Sequence, residues 1–358
     1  MRKRRFSREK SKTFKVIEKR RKNKNRVQIF IFTLLGLLLI ATSILVMFKY
    51  YKIKKIQDME VKKLGEFESV LNTNSYSFDI LCFEIQNENG ITKMNNIHLR
   101  RFNLWDVKIP AGVYIGDEEG EYFSIEKLYA VGGRLKNRDN GMLYVKDNID
   151  RVFGVELDGY IALSIEGYSG SPCDFLFEKL NNKNLIFNTS DVEKVLNSTF
   201  SNFKVWELFA LAKSSHMDIP KKSIDSNRCE IIDYKGETIR VFTQECIDYT
   251  ILQFPRPTAL KLEQARVDVY NATGIHKLAS KMARRFRNCG IEVVRVEDAP
   301  KFEDNSAIYV TNSSSFANTL SVITDQIGIK DIKVKYENTP FVSTGDIVVV
   351  LGKDALGI

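Results

Sequence analysis

Proline is scarce in this chain, 7 in 358 residues, and tryptophan scarcer still at 2. With 44% hydrophobic residues, that composition excludes wholesale disorder and leaves room for two ordinary domains. Histidine occurs three times, and Cys82, Cys173, Cys229, Cys246 and Cys289 form no CxxC pair, which excludes a structural zinc pattern. Cys229 and Cys246 flank a hairpin pattern turning at Lys235-Gly236 and could be bridged, although chance placement is the simpler reading. An odd count leaves at least one thiol free or intermolecular. Positive charge is also missing from most of the chain, despite a net charge of +9. Residues 1–28 hold 14 Lys/Arg against Glu9 and Glu18, leaving 40 basic and 43 acidic residues in the remainder. The basic charge belongs to the tail, so the folded part carries no nucleic-acid signal.

What is present explains the tail. Ile29–Phe48 is twenty residues without a charge, about 30 Å long as a helix and matched to a bilayer core. It is too long for a signal-peptide core, and Lys49, Tyr50, Tyr51 and Lys52 follow it instead of a small-residue cleavage site. It reads as an uncleaved anchor in a bacterial-type envelope protein, with Tyr50 and Tyr51 at the outer interface. Fourteen positive charges before the helix outweigh six in Lys49–Lys63, which places the N-terminus in the cytoplasm and the rest outside. Membrane lipid is thus one partner.

Outside the membrane, residues 49–75 read as a charged stalk, helical through Lys52–Leu71. A domain over 76–254 opens with a strand at Phe78–Ile85, a turn at Asn89-Gly90 and a strand at His98–Val107. Helical spacing in Asn148–Phe153, a strand at Tyr160–Ile165, and helices at Asp191–Leu196 and Lys204–Ala212 follow, the last two capped by Ser190 and Ser201. Trp105 and Trp206 lie within apolar patterns and read as core. Phe254-Pro255-Arg256-Pro257 is a stiff connector opening a linker over 255–265. Residues 266–358 read as a two-layer βαββαβ domain with a short extra strand. Its first helix carries Leu278, Met282 and Phe286 and stops at Gly290; its second carries Phe316, Leu320, Ile323 and Ile327. His276 is a polar first-turn residue. The fold class is therefore α/β and α+β: an N-terminal transmembrane helix, a mixed α/β domain and a two-layer domain.

The segment VDVYNATGIHKLASKMARRFRNCG, the strand Ala307–Thr311 and the closing DIVVVLGKD resemble the C-terminal domain of the LytR family, over roughly a quarter of the chain. Asn271-Ala272 stands where that family has Asn-Gly. The preceding domain resembles a diverged LytR–CpsA–Psr domain. The matching segments are Lys108-Ile109-Pro110, Leu128-Tyr129-Ala130-Val131-Gly132-Gly133, Val152-Phe153-Gly154-Val155 and Asp158-Gly159-Tyr160-Ile161. The resemblance implies a family whose active members move a glycopolymer from a polyprenyl-pyrophosphate carrier onto peptidoglycan. In such members arginines hold the diphosphate and acidic residues bind Mg²⁺.

The departures point away from that chemistry. Ala111 and Gly112 stand where the resemblance implies an Arg-Asp pair, and Thr189–Ala212 contains no arginine where the family has an arginine-rich helix. Without bidentate donors a buried diphosphate is poorly neutralised. The expectation is a non-catalytic envelope module, without cofactor, that binds wall glycan, a lipid-linked precursor or a partner protein. The alternative is a Mg²⁺-dependent phosphotransferase with a relocated site at Arg134, Arg138 and Asp139, residues whose bland reading is a solvated loop. A transcription-regulator reading, suggested by the historical LytR label, conflicts with the topology. In the C-terminal domain, Tyr270, Tyr309 and Tyr336 could stack on sugar rings of peptidoglycan if the sheet's second face is open. Docking of that face against the first domain is the preferred reading, which the short Pro255–Pro257 connector permits.

Overall fold

A computed structural model describes residues 12–65, 67, 78–88, 91–134, 141–165, 167–181, 189–216, 218–310, 316–329, 333–335 and 342–357. It divides into two units, Met1–Asp58 and Met59–Ile358. The described residues of the first form a helix, α1 (Lys12–Gln57), in which Gln28–Gln57 is long and apolar enough to cross a membrane. The large apolar side chains of Ile29–Phe48 are exposed. Thr33 donates to the Ile29 and Phe30 carbonyls and Thr42 to Leu39, so both hydroxyls are satisfied within the helix, as an apolar solvent requires.

The helix expected through Leu71 ends at Gln57. The chain beyond it is claimed by the second unit instead. Lys62 bridges Phe200 in parallel, Ser201 donates to its carbonyl, and Tyr160 and Tyr129 bind the backbone of Leu64 and Gly65 through their hydroxyls. A segment that finds sheet-edge partners gains hydrogen bonds without paying for isolated helix propagation.

Within that second unit, the first domain contains β1 (Asp79–Glu88), β2 (Ile91–Arg101), β3 (Trp105–Ile109), β4 (Tyr114–Gly116), β5 (Tyr122–Ser124), α2 (Leu128–Arg134) and α3 (Gly141–Phe153). It continues through β6 (Leu157–Leu163), α4 (Pro172–Leu180), α5 (Thr189–Asn197), β7 (Thr199–Ser201), α6 (Val205–Ser214), β8 (Lys221–Ser223), β9 (Glu230–Tyr234), β10 (Glu237–Val241) and α7 (Gln244–Ile251). One sheet has the order β7-β6-β1-β2-β3-β8, with β1 parallel to β6 and antiparallel to β2; a second runs β5-β4-β10-β9. The single strand expected at His98–Val107 is two strands. Asn103 takes φ +59° and the Leu104 N–H returns to the Arg101 carbonyl, a tight turn that asparagine tolerates well. The expected turn at Asn89-Gly90 lies outside the described residues. Ser201 does not cap α6; Lys204 occupies that place, with the Glu207 carboxylate accepting its N–H. Ser190 lies inside α5, which begins at Thr189.

Alternation along the strands sorts the sheet's two faces. Leu81, Phe83, Ile97 and Leu99 meet Met142, Ile149 and Phe153 of α3 in a continuous core. The opposite face carries Cys82, which is bridged to Cys173 of α4. Cys229 and Cys246 are bridged as well, across the β9–β10 hairpin, and Cys289 is a buried free thiol. The pairing that looked like chance placement therefore forms. Trp105 is buried as expected, stacked 5.3 Å from Phe254, whereas Trp206 is 56% exposed on α6. The helix buries Val205, Leu208 and Leu211, and position 206 falls off that face.

The linker is partly helical, α8 (Thr258–Glu263), and its Glu263 carboxylate accepts the Asn318 and Thr319 N–H groups. The remaining elements are β11 (Arg266–Asn271), α9 (Leu278–Asn288), β12 (Glu292–Asp298), β13 (Ala307–Val310), α10 (Ala317–Ile327), β14 (Lys333–Lys335) and β15 (Ile347–Leu351). They form a sheet of order β12-β11-β15-β13-β14. Leu278, Met282 and Phe286 of α9 and Val322, Ile323 and Ile327 of α10 bury against Val267, Val269, Ile308 and Val349. Both helices thus share one face, the two-layer arrangement that the periodicity implied. Burying each such side chain contributes roughly 1.5–3 kcal/mol.

Candidate functional site

The turn that follows β3 is the place where family resemblance would put charged chemistry. Val113 donates to the Pro110 carbonyl, Ala111 is half-buried and Gly112 exposed. A Cβ added at Gly112 would meet nothing within 4 Å, so the fold itself does not demand glycine there. Beside the turn lies a cavity of about 500 Å³ lined by Pro110, Gly112, Tyr114, Ser226, Ile231, Glu237 and Arg240, among others. Its two charged groups, Glu237 and Arg240, offset each other, and Arg240 donates to Ser226 and Asn227. An anionic diphosphate gains little there.

The other motif glycines serve packing. A Cβ on Gly132 of α2 would lie 2.6 Å from the Tyr144 Cβ of α3, and one on Gly141 would lie 2.5 Å from the Tyr129 carbonyl oxygen, so these two glycines let α2 and α3 approach. At Gly159 it would meet the Phe203 ring at 2.1 Å. Arg134 ends α2 with an exposed side chain; Arg138, Asp139 and Tyr336 lie outside the described residues.

Arg100 and Arg101, buried in the first domain, are each paired with a carboxylate, although Arg100 Nη1 has no hydrogen-bond partner among the described residues. Asp79 and Arg101 face each other across β1 and β2, with Arg101 Nε and Nη2 forked onto the carboxylate at 2.9 and 2.6 Å. Burial holds the Asp79 carboxyl above the usual carboxylate range, against the opposing pull of the Arg101 guanidinium forked onto it. Asp158 accepts the Asp79 N–H, and burial raises its carboxyl well above the usual range. On the opposite face Arg100 donates to Asp174 at 2.6 Å, and Asp106 Oδ1 is hydrogen-bonded with His98 Nδ1 at 2.6 Å. Asp117, Glu119 and Glu121 bring carboxylate oxygens within 4.8 Å of one another in the β4–β5 turn. Asp117 there accepts the N–H groups of Glu119 and Glu121 and the Tyr144 hydroxyl, which gives it the task of closing that turn.

Several cations gather at the seam between the two domains. Helix α3 ends at Phe153, and its last carbonyls need partners. Helix α9 supplies them: Arg284 donates to the Val152 carbonyl at 2.9 Å, and Asn288 Nδ2 donates to those of Phe153 and Gly154 at 2.9 and 3.0 Å. Arg284 also forks onto Asp248 of α7, Arg285 reaches Glu156 at 3.5 Å, and Arg101 donates to the Asn288 carbonyl. Gly154 sits at the centre with φ +62°, and a Cβ there would lie 3.0 Å from Asn288 and 3.2 Å from Arg284. Next to these contacts is a cavity of about 450 Å³ lined by Arg151, Gln244, Asp248, Lys277, Ser280, Lys281, Arg284 and Arg287, among others.

Docking thus occurs through α9 and not, as expected, through the second face of the C-terminal sheet. That face is covered by its own chain. Tyr270 is 3% exposed, its hydroxyl donating to the Val342 carbonyl, and Asp268 accepts from Ser343, Thr344 and Gly345. Tyr309 is half-buried, with Lys335 over its ring at 4.8 Å. Tyr270 is not open for stacking on a sugar. His276 is exposed, but α9 begins at Leu278, so it precedes the helix and is not the first-turn residue expected.

Residues 264–354 match the family described as "LytR cell envelope-related transcriptional attenuator". No curated protein matches the chain. Among solved structures, TagV of B. subtilis is 12% identical with a TM-score of 0.35, covering 48% of this chain and 93% of that one. A transcriptional regulator from Enterococcus faecalis is 8% identical with a TM-score of 0.35, covering 62% and 92%. The LytR-CPS2A-psr family protein YwtF (TagT) with bound octaprenyl pyrophosphate lipid is 13% identical with a TM-score of 0.31, covering 54% and 92%. At these values no residue's role is carried across.

Proposed function

We propose that this chain, whose C-terminal domain belongs to the LytR C-terminal family, is a membrane-anchored cell-envelope protein that binds its ligand without transforming it. The ligand is wall glycan, a lipid-linked precursor or a partner protein. The observation that carries the reading is the state of the arginines. Arg101 is paired with Asp79 and Arg100 lies between Asp106 and Asp174, and the turn at Ala111-Gly112 has a cavity in which one arginine is offset by one glutamate. A diphosphate leaving group needs uncommitted bidentate donors.

Placement outside the cytoplasm draws support from the two disulfides, which persist in oxidising compartments, and from the basic residues preceding the apolar helix. The test is turnover. The full chain in neutral detergent, given a polyprenyl-pyrophosphate-linked glycan and Mg²⁺, should release no polyprenyl pyrophosphate above a protein-free control. Release that disappears on Arg134→Ala or Arg138→Ala would establish the relocated-site enzyme instead. Protease added to intact spheroplasts should remove residues 76–358 and leave the tail; protection of that region would reverse the topology.

A further inference from the structure

We propose that residues 61–65, just outside α1, are a detachable strap that sets how far the folded unit can stand from the membrane. The inference rests on the reading of α1 as an anchor. Among the described residues the strap meets the sheet edge at one bridge, Lys62 beside Phe200, where the Ser201 N–H donates to the Lys62 carbonyl at 2.9 Å. Two hydroxyls hold it further. Tyr160 accepts the Leu64 N–H at 2.9 Å and donates to the Gly65 carbonyl at 3.0 Å, and Tyr129 donates to the Leu64 carbonyl at 3.0 Å. Phe67 follows, held by a long 3.4 Å bond from Asn202 to its carbonyl and by its ring, 5.8 Å from that of Tyr160.

The packing is shallow. Lys62 and Lys63 are exposed, and Val61, Leu64 and Gly65 are half-buried, so no residue of the strap is fully buried. Leu64 and Phe67 pack against the outside of the α3 core, whose own members Phe83, Leu99, Met142 and Ile149 are fully buried. A segment with few buried apolar groups and exposed backbone opens at less cost than the domain unfolds. Opening changes the tether. From Gln57 at the end of α1 to Lys62 is five residues, at most about 18 Å of chain. With this stretch released, the next described residue bonded to the folded unit is Phe78, whose carbonyl accepts the Phe102 N–H. Gln57 to Phe78 is twenty-one residues, at most about 75 Å. The strapped form keeps the unit close to the bilayer, and the released form lets it reach a ligand deeper in the envelope.

Hydrogen exchange on the full chain in nanodiscs, read by mass spectrometry, should show 61–65 exchanging at least roughly tenfold faster than 79–85 of β1. Tyr129→Phe/Tyr160→Phe removes the hydroxyls that hold the strap and should speed its exchange by roughly another tenfold, with 79–85 unchanged. Leu64→Asp, which alters only the strap, should do the same and guards against misfolding of the tyrosine variant. Neutron reflectometry on the same proteins in a supported bilayer should show the layer of either variant extending on the order of 20 Å or more beyond the parent's. The proposal is overturned if 61–65 exchanges no faster than β1, if neither variant speeds it, or if the layers keep the parent's thickness. Failure of the anchor reading would look different: no protein layer would be held at the bilayer.

Discussion

Two cavities of similar size sit in one folded unit, one beside Pro110–Gly112 at about 500 Å³ and one at the domain seam at about 450 Å³. The first has one cation and one anion; the second has five cations and one anion. Family resemblance would charge the first. The difference teaches that a retained backbone pattern and a retained site are separate properties. Gly132 and Gly159 persist here because tyrosine and phenylalanine rings pack against them, whatever becomes of the chemistry.

The contrast depends on the first domain's arginines being structural, so removing one should break the fold before it alters binding. Arg101→Ala strands the Asp79 carboxylate, which is fully buried, and also loses the donor to Asn288. Urea unfolding should show a loss of about 3–5 kcal/mol, the scale for breaking a buried ion pair. A loss below about 1 kcal/mol would mean that Arg101 is held in reserve for a ligand.

A smaller effect comes from Asp150, paired with Lys146 at 2.6 Å and accepting the Leu157 N–H. Burial raises its carboxyl to about 6, from an ordinary value of 3.8. The folded state therefore keeps a proton that the unfolded chain gives up near pH 4. This contribution is complete below pH 4 and is lost as pH rises through 6, up to about 3 kcal/mol in all. Asp158 is shifted in the same direction. Calorimetry from pH 4 to 7 should show a shallower decline for Asp150→Asn than for the parent chain. Identical slopes would remove Asp150 from the titration.

The general architecture was legible in the sequence because it rests on period and punctuation. The uncharged run Ile29–Phe48, the 4-3-4 spacing of α10 and the Lys235-Gly236 turn each translate directly into an element. What was missed depends on distance in space. The partner of Cys82 is 91 residues away; Cys173, Leu176, Phe177 and Leu180 follow helical spacing after Pro172, but nothing local says which strand that helix packs on. Tyr270 fits an exposed strand face by alternation, yet Val342–Gly345 folds back across that face. The seam left a usable signal. Lys277, Lys281, Arg284 and Asn288 repeat at 4-3-4 opposite the apolar stripe, and only the apolar stripe was read.

Smaller substitutions sharpen the contrast. Gly154→Ala puts a side chain into a left-handed backbone against Arg284 and Asn288, and should cost about 1–2 kcal/mol. Limited proteolysis at the 255–257 connector should quicken with it; an unchanged rate would mean that the seam adapts. Lys277→Ser alone, at an exposed position, should change stability by under about 0.5 kcal/mol. A larger loss in thermal unfolding would make Lys277 part of the scaffold and not of the open groove.

Hydrogen exchange on the full chain, with and without a polyprenyl-pyrophosphate-linked glycan, tests the reading of the first cavity in one measurement. No protection is expected at 108–116 or 226–240. Protection at 108–116 and 226–240 would place the diphosphate at the turn that lacks the Arg-Asp pair, and would contradict the loss of that site.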